Sequence, residues 1–203
     1  MTSAEDALQA VSLGADALGF IFAESKRQVD VVTVGSIVPR LPEGTLAVGV
    51  FRDDPVECII DVVEATGLGG VQLHGHEGPE VARALRSVVP FLVQVFTAGD
   101  RRLERVEEYP VDAVLIDSPA PGSGQTFDWS QIDGLSERVR VILAGGLNAS
   151  NVAAAVERVR PWGVDAVSGV ESEPGRKDPA AVAAFISAAR DALSEFSVDP
   201  PRA

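Results

Sequence analysis

Short apolar runs alternate along the chain with stretches of amphipathic, helix-like sequence. Seven of these runs are predicted to be strands: 17–22, 46–51, 70–74, 91–96, 112–117, 139–144 and 164–168. Most are apolar nearly throughout, which is typical of parallel strands that are covered on both faces. Eight helices are predicted around them, near 3–13, 30–39, 55–66, 79–88, 100–108, 128–136, 149–159 and 178–195.

This strict alternation is compatible with two architectures. A (β/α)8 TIM barrel has eight strands and eight helices and begins with a strand, whereas this chain begins with a helix that Ser3 is placed to cap. A doubly wound open sheet is the competing architecture. Its GxGxxG signature does not follow an early strand here, and the glycine-rich turns come late in the chain. The sequence therefore predicts an α/β fold of the (β/α)8-barrel class whose first strand is missing from the 203 residues.

Composition narrows the class of protein further. A chain of 203 residues fills one core and is short for two, so a single domain over 1–203 is predicted, with a frayed tail at 197–203. The net charge of −13 argues against nucleic-acid and membrane partners. No apolar run approaches the roughly 20 residues of a membrane span and no signal-peptide pattern is present, so a cytoplasmic location is expected. One cysteine excludes a cysteine-cluster metal site, and neither a metal nor a cofactor is expected.

Two glycine turns follow the last two predicted strands. In VILAGGLNASN, Gly145 and Gly146 stand between a strand and a predicted helix that begins around Asn148. In VDAVSGVES, Ser168 and Gly169 repeat the pattern. Glycines let the backbone approach an anion closely, and a helix N-terminus directs amide donors towards it. In a barrel, phosphate often binds after strands seven and eight, so the two turns together predict a phosphate site.

Other polar side chains at strand ends have open interpretations. Asp117 ends a buried strand and is placed to face a cleft, although an aspartate there is also a common cap or turn residue. His74 ends the strand of VQLHG and either faces the cleft or caps the strand, whereas His76 is expected to face solvent. The position of Arg27 alone does not single it out. Cys58 falls on a helix and is expected to be a half-buried filler.

Taken together, these segments resemble a known family. GADALGFIF, VGVF, VQLHG, an Asp followed by GSGxTFDW, LAGGLN, VDAVSGVE and PGRKD occur here in one order. From residue 1 to about 190 the chain resembles the N-(5'-phosphoribosyl)anthranilate isomerases of tryptophan biosynthesis. The resemblance implies a cofactor-free Amadori rearrangement, which opens a ribose ring and moves a carbonyl from C1 to C2. It also implies a small phosphoribosyl substrate and a monomer, with a homodimer as the alternative.

The resemblance assigns roles to the residues that match the family's motifs. It makes Asp117 the acid that protonates the ring oxygen, and Arg27 the group that holds the anthranilate carboxylate. Gln72 and His74 of VQLHG are expected beside the substrate. The expected phosphate cradle comprises Gly145, Gly146, Ser168 and Gly169, supported by Asp165.

Three departures from the family pattern stand out. The family begins with a strand reading like KICGIT, whose cysteine is the general base; that strand is absent here, and Cys58 cannot replace the base from an outer helix. The loop GSGK reads GSGQ, with Gln125. The residue after Arg27 is Gln28, where relatives usually have Tyr or Phe.

The family pattern aligns its CGIT threonine with Thr2, which leads to the expectation that the coding region upstream of Met1 reads in frame into a strand with a Cys-Gly pair. The alternatives are that N-terminal residues were left out of the sequence, or that the base is truly lost. Two other functions stay open: a noncatalytic phosphosugar-binding remnant, and a dual-substrate isomerase that also serves histidine biosynthesis. Against the latter, the first half of the chain has no Gly-Gly turn that matches LAGG.

Overall fold

The computed structural model describes residues 1–119 and 126–195. Seven strands form one sheet: β1 (Ala17–Ile21), β2 (Leu46–Phe51), β3 (Gly70–Leu73), β4 (Phe91–Thr97), β5 (Ala113–Asp117), β6 (Val141–Leu143) and β7 (Gly163–Val164). Six α-helices accompany it: α1 (Ala4–Ser12), α2 (Val31–Ile37), α3 (Val56–Thr66), α4 (Pro79–Leu85), α5 (Val152–Val159) and α6 (Pro179–Glu195). Gln125 and the tail 197–203 lie outside the described residues, so the expectations for them stay predictions.

The strands pair in chain order, and every pair is parallel. Residues from β1 and from the region after β7 line the same cavity, so the sheet curls round like an incomplete barrel. In the described part of the chain β1 does not pair with β7. Because all seven strands run the same way, their carboxyl ends share one rim. The predicted α/β fold is confirmed.

Side chains alternate between the inside of the curled sheet and the helix layer. A small apolar cluster lies inside the curl and consists of Val93, Val95, Leu115 and Ala144. The neighbouring residues Leu92 and Phe96 point the other way, into the larger core beneath the helices. Because both faces of the sheet are buried in this way, the strands are apolar along nearly their whole length.

A short antiparallel ribbon follows β7, and the sequence did not predict it. It consists of β8 (Glu171–Glu173) and β9 (Arg176–Lys177) and leads into α6. The backbone N–H of Lys177 donates to Asp6 Oδ2 at 3.1 Å, which ties the ribbon to α1. The predicted strand over 164–168 is correspondingly wrong in its bounds, because only Gly163 and Val164 pair with β6 before the chain turns.

Two predicted α-helices are 3₁₀ segments instead. The segment 101–108 is kinked at Arg105, and Leu103, Val106 and the capping Tyr109 recur every three residues, which suits the three-residue turn of a 3₁₀ helix. The predicted helix over 128–136 is interrupted by Gly134, whose φ of 77° is left-handed. Two separate 3₁₀ segments, Trp129–Ile132 and Leu135–Glu137, result.

Helix caps show where local sequence was a good guide. The hydroxyl of Ser3 accepts the N–H of Asp6, as expected for the N-cap of α1. At α3 the sequence predicts Asp54 as the cap and Pro55 as the first helical residue, and this is wrong: Pro55 occupies the N-cap position, and the Asp54 carboxylate instead accepts the N–H of Arg52. Helix α5 begins at Val152, later than the predicted start near Asn148, because residues 148–151 form a turn.

Candidate functional site

A cavity of about 390 Å³ opens at the rim formed by the carboxyl ends of the strands. That size is in the ordinary range for a small-molecule site. The predicted site residues that line it are Arg27, Gln72, His74, Asp117, Gly145, Gly146, Asp165 and Ser168. The structure thus brings together side chains from the loops or ends of β1, β3, β5, β6 and β7. Gly169, the remaining predicted residue, follows Ser168 in the sequence and does not itself line the cavity.

Asp117, His74 and Gln72 form a row across the cavity. Asp117 is the last residue of β5, is 8% exposed, and accepts the N–H of Ser118 at 2.7 Å. His74 Nε2 lies 3.6 Å from Asp117 Oδ2. On the other side of the imidazole, Gln72 Nε2 lies 3.2 Å from His74 Nδ1. One carboxyl group and one imidazole are therefore held side by side, which is an arrangement suited to proton transfer.

Asp165, directly after β7, is a second carboxyl group in this cavity. Its backbone N–H donates to the carbonyl of Leu143, which fixes the residue at the end of β6 and β7. Desolvation raises the pKa of Asp165 above 3.8, and the neighbouring charge of Asp117 raises it further, while Lys177 and His74 act in the opposite direction. Asp165 therefore retains its proton to higher pH than an exposed aspartate.

The glycine turn after β6 has the backbone conformation that only glycine adopts easily. Gly145 and Gly146 have φ values of 85° and 67°. The carbonyl of Gly146 accepts the side-chain amide of Asn151 at 3.0 Å, while Asn151 Oδ1 accepts the N–H of Asn148. The N–H groups of Gly145 and Gly146 donate to no acceptor among the described residues. Both amides are therefore available to a ligand anion.

At the next turn glycine is needed for a different reason from the one expected. Gly169 has no left-handed φ, but a Cβ there would collide with the carbonyl oxygen of Leu147. A Cβ at Gly145 would likewise lie 2.6 Å from the nitrogen of Ser118. The loops after β5, β6 and β7 are thus packed backbone against backbone. Asn151 and Ser118, which hold this packing, were not singled out from the sequence.

Arg27 is held by an ion pair with Glu171. Arg27 Nε lies 2.9 Å from Oε1 and 3.0 Å from Oε2 of Glu171, and Nη2 lies 2.7 Å from Oε2. Lys177 Nζ donates to Glu171 Oε1 and to the carbonyl of Val167, each at 3.2 Å. Burial alone would raise the pKa of Glu171, but the hydrogen bonds from Arg27 and the charge of Lys177 lower it below its ordinary value.

Sequence reasoning gave no role to Glu171 or Lys177. Both lie in segments that carry the family resemblance, VDAVSGVE and PGRKD, and this was the signal that could have found them. His76 is 82% exposed in its side chain, as expected, with its ring 3.3 Å from Asp53. Cys58 was expected to be half-buried and is instead exposed on α3, away from the cavity lining.

Within 1–119 and 126–195, no group of three or more His, Cys, Asp or Glu side chains is arranged to hold a metal ion. Over the same residues, none of the helices combines the length and apolar character needed to cross a bilayer.

Comparisons with known proteins point to one family. Residues 1–188 match the family model described as N-(5'phosphoribosyl)anthranilate (PRA) isomerase. The N-(5'-phosphoribosyl)anthranilate isomerase of Desulforudis audaxviator is 46% identical over 197 residues, which cover 95% of this chain and 96% of the relative.

Solved structures agree with the sequence comparison. A phosphoribosyl anthranilate isomerase in complex with reduced 1-(o-carboxyphenylamino)-1-deoxyribulose 5-phosphate has 37% identity and a TM-score of 0.85, with 94% of this chain and 95% of that chain covered. A monomeric form of the dimeric isomerase from Thermotoga maritima gives 38% identity, the same TM-score and the same coverage. The chain belongs to the N-(5'-phosphoribosyl)anthranilate isomerase family.

Proposed function

We propose that this chain converts N-(5'-phosphoribosyl)anthranilate into 1-(2-carboxyphenylamino)-1-deoxyribulose 5-phosphate, the aldose–ketose isomerisation of tryptophan biosynthesis. One observation carries the proposal: a single cavity holds a buried carboxyl group, an arginine, and a glycine turn whose amides have no acceptor in the part of the chain that the structure describes. These groups match the three parts of the substrate, namely the ribose ring, the phosphate and the anthranilate carboxylate.

In the first chemical step, Asp117 gives a proton to the ribose ring oxygen. The bond between C1 and that oxygen then breaks, and the lone pair of the anthranilate nitrogen forms a C1=N double bond. Supporting this role, Asp117 ends β5 inside the cavity and lies next to His74, whose ring can stabilise the carboxylate left after the proton is transferred.

In the second step, a base removes the proton from C2, which gives an enol with a C1=C2 double bond. The enol loses its hydroxyl proton and C1 gains one, leaving a carbonyl at C2 and no net change in atoms. The only cysteine of the sequence, Cys58, is exposed on α3 and does not line the cavity, so it does not supply this base.

Gln72 sets the state of the imidazole in this proposal. Its amide Nε2 donates to His74 Nδ1, so the neutral ring carries its hydrogen on Nε2, which is the nitrogen nearer Asp117. Once Asp117 has given its proton to the ring oxygen, the imidazole N–H is placed to donate towards the resulting carboxylate. A hydrogen bond to one ring nitrogen commonly selects the tautomer in this way.

The two ends of the substrate are bound by different chemistry. The phosphate is bound by backbone amides of Gly145 and Gly146, with Ser168, Gly169 and Asp165 completing the cradle. The carboxylate is bound by Arg27, because a guanidinium presents paired N–H groups that fit a planar carboxylate.

The active unit is proposed to be a monomer, as in the monomeric form of the Thermotoga maritima relative. A homodimer is the alternative, which the dimeric Thermotoga maritima relative makes worth testing. Analytical ultracentrifugation distinguishes the two: a single species of about 21 kDa supports the monomer, and one of twice that mass contradicts it.

The variant Asp117→Asn tests the chemical proposal. An amide keeps the shape of the side chain but cannot donate an acid proton, so kcat should fall by about 10²–10⁴-fold. Affinity for the reduced product, measured by titration calorimetry, should change little. As a control, Asp54→Asn alters a carboxylate outside the cavity lining and should leave kcat unchanged.

Retention of more than about a tenth of the wild-type rate by Asp117→Asn would contradict the acid role, given the usual size of general acid catalysis. If the wild-type chain binds the reduced product but gives no turnover, the noncatalytic phosphosugar-binding function replaces the isomerase proposal. Turnover of the related histidine intermediate would support the dual-substrate function.

A further inference from the structure

Glu171 accepts hydrogen bonds from only some of the N–H groups of Arg27. A guanidinium has five N–H hydrogens, and Glu171 accepts those on Nε and one on Nη2. The remaining three, two on Nη1 and one on Nη2, donate to no other described residue. Two of them, one on Nη1 and one on Nη2, form the end-on edge of the guanidinium, which is the edge left for a ligand because Arg27 also lines the cavity.

Glu171 is built to hold Arg27 in one orientation. Its side chain is 4% exposed and that of Arg27 is 16% exposed, so the pair is largely shielded from water. Both carboxylate oxygens contact the arginine, which fixes the plane of the guanidinium as well as its position. When a ligand immobilises a freely rotating arginine side chain, the lost conformational entropy weakens binding. The contact with Glu171 already restricts Arg27 before the ligand arrives, so this cost is avoided.

The position of the Glu171 carboxylate is in turn fixed by Lys177. Lys177, with a side chain 9% exposed, donates to Glu171 Oε1 and to the carbonyl of Val167. Lys177 is also the ribbon residue whose N–H is bound by Asp6 on α1. The charges of Arg27, Glu171 and Lys177 sum to +1, which matches the single negative charge of a carboxylate.

We infer that Glu171 is a positioning residue, supported by Lys177, which holds Arg27 with its end-on edge towards the cavity and so makes the site selective for a substrate that carries an aromatic carboxylate. This inference rests on the proposed function. It differs from a purely structural role of the ion pair, because it predicts an effect that depends on the carboxylate of the ligand.

The experiment compares two ligands by titration calorimetry: the reduced product, and the same molecule with a phenylamino group that lacks the carboxylate. Glu171→Gln should weaken binding of the first ligand about tenfold and leave binding of the second unchanged, since a hydrogen bond to a charged group contributes that much. In turnover, KM should rise and kcat should stay nearly constant. The matched control is Glu173→Gln, in the same ribbon strand but 65% exposed in its side chain, which should change neither affinity.

A double-mutant cycle separates positioning from stability. If Glu171 acts through Arg27, adding Glu171→Gln to the Arg27→Ala variant should not weaken binding of the reduced product any further. Should Glu171→Gln not fold, Arg27→Lys replaces it: lysine keeps the charge but not the fork, and should cause the same ligand-selective loss.

Equal losses for the two ligands, or additive effects in the cycle, would overturn the positioning role. That outcome leaves the proposed function intact, because the wild-type chain would still bind the reduced product and turn over. A wild-type chain that binds neither ligand would overturn the proposed function and this inference with it.

Discussion

Asp165 lies in a less hydrated and more negative environment than an aspartate at the protein surface. Its pKa is raised first by desolvation and then by the charge of Asp117, against the partial compensation of Lys177 and His74. A carboxyl group that holds its proton is a better neighbour for a ligand phosphate than a carboxylate, because it adds no negative charge. The same feature should make the ionised form of Asp165 costly for the folded state.

The variant Asp165→Asn tests that cost. Because the folded chain holds the Asp165 proton above the ordinary value of 3.8, the native state binds more protons than the unfolded state just above that pH. Stability of the wild type is therefore lost as pH rises through the raised pKa. We expect Asp165→Asn to melt at the wild-type temperature near pH 3.5 and at a higher temperature at about pH 8. For a chain of this size, each 1 kcal/mol of stability raises the melting temperature by about 2–4 °C.

Calorimetry over that pH range needs a control for net charge, because removing any carboxylate relieves repulsion in a chain of net charge −13. Asp191→Asn, on the exposed face of α6, provides it. A melting-temperature difference for Asp165→Asn that matches Asp191→Asn at every pH would show that the environment of Asp165 is not special.

At the residue scale, the sequence predicted those groups that sit at strand ends. Asp117 and His74 end or follow buried parallel strands, and parallel strands share a rim, so the pattern placed both at that rim. Whether they faced the cleft was left open by the pattern, and only the family resemblance placed them beside the substrate. Glu171 and Lys177 could not be placed in this way. They lie in a ribbon whose pairing, residue 171 with 177, has no signature in a periodicity of two or 3.6.

Three loops at the rim form one packed layer, which is the main feature at the scale of elements. The loop after β5 contacts the loop after β6 at Ser118 and Gly145, and the loop after β6 contacts the one after β7 at Leu147 and Gly169. In each case the contact is with backbone atoms, which cannot rotate away as a side chain can. The position of the amides that we propose to bind the phosphate therefore depends on small residues in two loops.

The variant Gly169→Ala should displace the loop after β6. A single methyl group would collide with the carbonyl of Leu147, and overpacking of this kind typically costs about 1–3 kcal/mol. We expect at least a tenfold rise in KM and weaker binding of inorganic phosphate, both measured on purified protein. Gly163→Ala is the matched control in β7, where the nearest atom to a Cβ is Ile142 Cγ1 at 3.9 Å. Unchanged phosphate affinity in Gly169→Ala would mean that the cradle lies elsewhere.

Element type was predictable wherever burial and periodicity agreed. The seven strands of the parallel sheet were found because each lies in a run of apolar residues, although the bounds of β7 were wrong, and α1 was found because Ser3 caps it. The segment 128–136 was misassigned because one residue, Gly134, takes a left-handed conformation that divides it. The segment 100–108 was misassigned because apolar residues three apart fit a 3₁₀ helix as well as an α-helix.

At the scale of the whole molecule, the site is assembled from both ends of the chain. Arg27 follows the first strand of the sheet, whereas Glu171 and Lys177 follow the last, and the curl of the sheet brings them within hydrogen-bonding distance. Thr2 Oγ1 donates to the carbonyl of Gly175, which adds a further contact between the first residues and the ribbon. Binding at this site should therefore couple segments that are distant in sequence.

Hydrogen exchange with and without the reduced product tests this coupling. A ligand that reaches both ends of the cavity should slow exchange in two separated segments, 24–28 and 145–147. At about 100 times its Kd the ligand should add about 2.7 kcal/mol to the free energy of unfolding. Inorganic phosphate should slow exchange only at 145–147, since it contacts the glycine turn and not Arg27. Equal protection of 24–28 by both ligands would contradict the division of the cavity into a phosphate end and a carboxylate end.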